Sequence, residues 1–139
     1  MKELSTSEAL ELGVSTCHHQ MDNGEKRFRL STQFGSSYIL TLSPDKAAWQ
    51  NSHYHKEKRE FYIVEKGWIL MAMLDDEGVI IKKIGEDESI MMPLGVKHNV
   101  FISENTILHT VKYGTEETDW NPCPELDELV KKVDISKYI

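Results

Sequence analysis

His53-Tyr54-His55-Lys56-Glu57-Lys58-Arg59-Glu60 places two histidines and two glutamates just ahead of an apolar run, Phe61 to Val64. In a strand, residues i and i+2 point to the same face, about 6.6 Å apart along the chain. Two imidazoles so placed converge on one metal ion at about 2.0–2.1 Å each. A carboxylate close behind completes a histidine-and-carboxylate donor set of the kind that Fe(II), Mn, Ni or Zn accepts. Glu57 serves if the strand runs straight on from His55. Glu60 serves if the chain turns after His55 and returns on a neighbouring strand. Periodicity leaves both open, although the charged Lys56–Arg59 stretch reads as a turn.

Outward from this stretch, short strand-like runs alternate with turns. Before it lie Phe28-Arg29-Leu30, the Gly35-Ser36-Ser37 turn and the run from Tyr38 to Leu42, closed by Ser43-Pro44-Asp45. After it, Trp68 to Leu74 and Val79 to Ile84 flank Asp75-Asp76-Glu77-Gly78 and predict a hairpin. Ile90 to Met92 stops at Pro93 and Gly95, and His98 to Ile102 and Thr106 to Tyr113 are expected to pair around Ser103-Glu104-Asn105. So many short strands predict an all-β barrel or sandwich rather than a βαβ fold. Ser5 and Glu8 stand in capping-box spacing and predict a short N-terminal helix. Leu126, Leu129, Val130 and Val133 recur at helical spacing after Pro122 and Pro124, which predicts an amphipathic helix over 125–133 on the outside of the barrel. The expectation is one domain over 1–139, with a barrel core at about 28–114 and a tail at about 115–139.

Two patterns in this order resemble the motifs of the cupin family. His53-x-His55-x4-Glu60-x6-Gly67 is similar to the first, and Pro93-x-Gly95-x2-His98 to the core of the second. The resemblance spans roughly residues 35–114 and implies a double-stranded β-helix, or jelly roll. It further implies one divalent transition metal, Fe, Mn, Ni or Zn, held by His53, His55, Glu60 and His98. The sequence departs from the family pattern at three positions. Ala47 and Asp87 stand where it has glycine, and Ile102 where it has asparagine.

Strand parity proposes a cavity wall. If Glu60 points inward, so does Tyr62, and Trp49 and Asn51 share the face of His53. Trp49, Asn51 and Tyr62 are therefore candidate substrate-binding residues, with rim packing as the plainer alternative. His109, in a late strand, and Tyr62 are candidate acid–base groups. His18-His19 beside Cys17 reads as a solvated loop rather than a second site, since adjacent strand residues face opposite ways. Met71, Met73, Met91 and Met92 read as core filling.

A net charge of −7 argues against nucleic-acid and anionic-membrane surfaces, which call for clustered Lys and Arg. No apolar run approaches the roughly 20 residues of a membrane span. The polar stretch Met1–Gly13 does not read as a signal peptide. Cys17 and Cys123 do not make a disulfide framework, and a cytoplasmic setting is expected. Both faces of Trp68 to Leu74 are apolar, so one needs cover from the tail, another sheet or a second chain; a homodimer is expected, in keeping with the resemblance. The function expected is a metal-dependent enzyme acting on a small polar metabolite such as a sugar or hydroxy-keto acid, by isomerase-, epimerase- or lyase-type chemistry. An Fe(II) dioxygenase and a non-catalytic small-molecule binding or sensing module are the alternatives.

Overall fold

Ser5 caps the first helix, α1 (Thr6–Glu11), as its spacing to Glu8 predicts. Its hydroxyl accepts from the Glu8 N–H at 3.1 Å, and the Glu8 carboxylate accepts from the Ser5 N–H at 3.2 Å. The computed structural model describes residues 1–139. After α1 come β1 (Val14–Gln20), β2 (Lys26–Thr32), β3 (Ser37–Leu42), β4 (Ala48–Trp49), β5 (His53–Tyr54) and β6 (Arg59–Lys66). They are followed by β7 (Ile69–Asp75), β8 (Gly78–Ile84), β9 (Ser89–Met92), β10 (Lys97–Ile102), β11 (Ile107–Tyr113) and β12 (Asn121–Pro122). The chain closes with α2 (Pro124–Val130) and a 3-10 turn at Ile135–Tyr138.

The strands form two antiparallel sheets. One has the order β1-β2-β3-β11-β6-β9; the other is β12-β5-β10-β7-β8, with β4 also on β10. Between them lies a core of Val64, Ile69, Met71, Ile84, Val100, Ile102 and Leu108, joined by Tyr62 and Met92. Ile102, where the family pattern has asparagine, is fully buried there.

The second apolar face of β7 is covered by the tail. Ala72 packs with Cys123, Leu126 and Val130 of the α2 region, and Trp49, Leu74, Val79 and Ile81 surround them. The tail therefore supplies the cover that the sequence left open, and this face offers nothing to a second chain.

Three expectations are corrected. β10 and β11 do not pair with each other. β10 lies between β7 and β5, and β11 between β3 and β6. The Ser103–Asn105 turn thus carries the chain from one sheet to the other, with Asn105 at φ 58°. The strands also begin at Val14 rather than Phe28, and His18 and His19 lie in β1 instead of a loop. β1 is exposed along nearly its whole length, so it has no apolar alternation to announce it. Asp87, where the family pattern has glycine, takes φ 61°. That left-handed conformation is one that Asp tolerates better than most residues.

Candidate metal centre

The four side chains picked out by the motifs meet at one point. His53 opens β5, His55 follows it, Glu60 lies in β6 and His98 in β10, so both sheets contribute. His98 stands directly opposite His53 in the β5–β10 register. Between His55 and Glu60 the chain crosses from one sheet to the other. Asp119 holds that crossing: its carboxylate accepts the N–H groups of Lys56, Glu57 and Lys58 at 3.0, 2.7 and 2.8 Å. Gly114 passes beneath the same turn at φ 130°, where an added Cβ would lie 2.7 Å from the Glu57 carbonyl oxygen. The turn removes Glu57 from the site and returns Glu60 to it, which resolves the choice between them.

One ligand atom from each of His53, His55, Glu60 and His98 lies within 4.8 Å of all the others, and all four residues are buried. The Glu60 oxygens stand 3.6, 3.4 and 2.7 Å from Nε2 of His53, His55 and His98. Two ligands each about 2.1 Å from one ion stand roughly 3.0 Å apart at a right angle, so these separations bracket a common coordination sphere. The tautomers agree. Nδ1 of His53 donates to the Asn51 carbonyl and Nδ1 of His98 to the Val96 carbonyl, both at 2.9 Å, and Nδ1 of His55 donates to the Asp119 carbonyl. A proton fixed on Nδ1 leaves each Nε2 lone pair directed inward, the arrangement in which a backbone acceptor orients a metal-binding imidazole. Nε2 of His53 and of His55 are buried with no hydrogen-bond partner. Buried polar atoms are rarely left so, and a cation is the partner this donor set fits.

Burial alone would raise the Glu60 carboxyl. Without an ion, Nε2–H donation from the three imidazoles outweighs it and, with the Lys112 ammonium at 3.1 Å, holds Glu60 well below the usual carboxylate range; a bound cation would take the place of those protons. Tyr62 donates its hydroxyl to Glu60 Oε1 and lies 3.3 Å from His98 Nε2. Burial and the Glu60 charge push its phenol well above the ordinary tyrosine value, so it stays protonated.

A cavity of about 260 Å³ opens beside the cluster. Asn51, His53, Glu60 and Tyr62 line it, together with Gln50 and Trp120, and the Trp120 ring stacks on His53 at 5.4 Å. Trp49 does not. The β10 register pairs Phe101 with Trp49 and His98 with His53, so four steps on one strand answer three on the other. The extra residue reverses the facing. Trp49 consequently packs edge-on against Phe101 under the tail. His109 is also misplaced by the sequence reading. Thr110 and Lys112 face the cavity, so His109 faces away, bonded to Tyr38 at Nδ1 and to Glu65 at Nε2 2.9 Å away.

Asp119 and Trp120 were not foreseen, because the segment that carries them crosses the site without strand or motif pattern. Asp119→Ala is expected to loosen both the ligand turn and the carbonyl that orients His55. Metal affinity should fall roughly 10–100-fold, as when outer partners of ligands are lost. Competition with a chelator at fixed metal checks this; unchanged affinity would show that the turn holds itself.

In sequence, neither a family model nor a curated protein matches the chain. In structure, a deletion variant of Bacillus subtilis oxalate decarboxylase superposes on 88% of this chain with TM-score 0.63 at 15% identity. Lactobacillus farciminis oxalate decarboxylase, in its formate complex, superposes on 87% with TM-score 0.61 at 14% identity. The chain spans only 36% and 40% of those two chains. The fold they share with it is the cupin barrel.

Proposed function

We propose that this cupin barrel is a metal-dependent enzyme acting on a small, polar, oxygen-rich metabolite. The observation that carries the reading is the set of three inward Nε2 atoms and one carboxylate beside a polar cavity. Three histidines and a carboxylate would hold Fe, Mn, Ni or Zn, and the cavity beside them would admit a substrate to the ion. Such an ion, when bound, acts as a Lewis acid on a carbonyl or enediol oxygen. Around it, Tyr62 keeps its proton and donates it in a hydrogen bond to Glu60, which holds that carboxylate in place. Asn51 and Trp120 at the cavity wall orient the bound molecule. The cavity is smaller than the roughly 300–1,000 Å³ of drug-sized pockets, which favours a metabolite of few carbons.

A thermal-shift screen of sugars, sugar phosphates and keto acids finds the substrate, since a bound ligand stabilises by RT ln(1 + [L]/Kd). Turnover is then expected at the same rate with and without oxygen. Product formed only with Fe(II) and O₂ would assign a dioxygenase instead, and stabilisation without product in either atmosphere would assign a binding module.

The same reading includes a homodimer in a reducing, cytoplasmic setting. Phe28, Leu30 and Tyr38 are exposed on the outer face of the β1-β2-β3 sheet, Leu30 directly opposite Tyr38. Burying such a patch favours self-association. Light scattering at micromolar concentration is expected to give twice the 16.0 kDa chain mass; a monomer would contradict it. No helix is long and apolar enough to cross a membrane.

A further inference from the structure

The chain carries a net charge of −7, yet the cavity beside the metal cluster is basic. Arg27, Arg29 and Lys112 line it, and Glu60 is its one carboxylate. The adjoining hollow shares Arg29 and Lys112 and adds Lys58. Its one carboxylate, Asp119, is committed to three backbone N–H groups. Clefts of one sign concentrate and steer ions of the other.

The register explains how the cations reach the site. Arg29 pairs with Ile39, Ile39 with Thr110, and Thr110 with Tyr62, so one row of the sheet runs from the arginine to the metal cluster. Arg27 starts the neighbouring row, opposite Thr41. Ile39, Thr41 and Thr110 floor the cavity between the two ends. Arg27 is held in place from behind. Its Nε donates to Glu25 at 2.6 Å, and Gln50 donates to the same oxygen at 3.1 Å. Glu25 is only 3% exposed. This grip uses Nε and leaves the two terminal nitrogens as a fork, the geometry that matches two oxygens of a carboxylate or phosphate. Lys112 stands between the arginines and the cluster, 3.1 Å from Glu60.

We propose that the substrate is an anion. Its carboxylate or phosphate is held by Arg27 and Arg29, and its carbonyl or hydroxyl end reaches His53, His55, Glu60 and His98. This rests on the metal-site reading above and narrows it to acids and phosphate esters. Neutral sugars are excluded as the preferred class.

The test compares probes that share a chelating end and differ by one anionic group. Hydroxyacetone is set against hydroxypyruvate, and dihydroxyacetone against its phosphate. Binding is measured by calorimetry on the full chain, with metal content measured on the same samples. In the unaltered protein the added group is expected to tighten binding about tenfold or more in one arm, as charge-assisted bonds do. The arm that shows the gain identifies carboxylate or phosphate. Arg29→Gln should abolish most of that gain while metal content and the binding of the shorter probe stay unchanged. Arg27→Lys keeps a partner for buried Glu25, loses the fork, and should reduce the gain as well. No gain in either arm, a gain that survives both substitutions, or no probe binding to metal-loaded protein would overturn the proposal. Protein that takes up no metal would instead overturn the metal-site reading on which it rests.

Discussion

Glu60→Gln is expected to lower metal affinity by more than about 100-fold, beyond the loss typical of an outer partner, and to abolish the turnover proposed above. The barrel should stay folded. Glu60 is the only carboxylate among the four donors, it is 1% exposed, and its oxygens face all three imidazoles. The amide keeps the shape but removes the charge that draws a divalent cation into a buried site. The nine-residue apolar core that joins the sheets contains none of the four donors, so the barrel is expected to fold without the ion. Metal titration followed by circular dichroism separates the two effects. Retained metal in the folded variant would show that three histidines suffice, and loss of the fold would show that the site is structural.

Leu126→Ala is expected to cost about 2–5 kcal/mol, the range for emptying a buried leucine site. Against total stabilities of about 5–15 kcal/mol, that is a large fraction. Leu126 is fully buried on the outer face of β7, where Ala72, Cys123 and Val130 enclose it. The donors lie on the opposite, inner face, so metal content should not change. Urea unfolding measures the cost. A loss under about 1 kcal/mol would mean that α2 does not pack on the barrel in solution.

The donor set was legible because it is carried by spacing. His53 and His55 share a face by strand parity, and Pro93, Gly95 and His98 sit in a second pattern. The choice of Glu60 over Glu57 was not, because it depends on a turn gripped by Asp119, sixty residues further along the chain. Trp49 and Asn51 were assigned to one face by the same parity, and an unseen bulge between β4 and β5 defeated it for Trp49 while Asn51 still lines the cavity. The outward facing of His109 is hidden for a comparable reason. Ile107 to Lys112 mixes apolar and polar residues on both faces, so alternation does not tell inside from outside. The α2 helix could be read from the helical spacing of Leu126, Leu129, Val130 and Val133, and it runs Pro124–Val130 rather than to residue 133. The basic cavity was hidden altogether. Arg27, Arg29 and Lys112 are eighty-odd residues apart at the extremes and become neighbours only through the β2-β3-β11 pairing.

The most direct test of the account is elemental analysis of protein purified without a metal-binding tag. About one divalent transition-metal ion per chain is expected, falling to background in a His53→Ala/His98→Ala variant that remains folded. Protein that neither carries nor takes up such an ion, or a double variant that keeps its full complement, would contradict it.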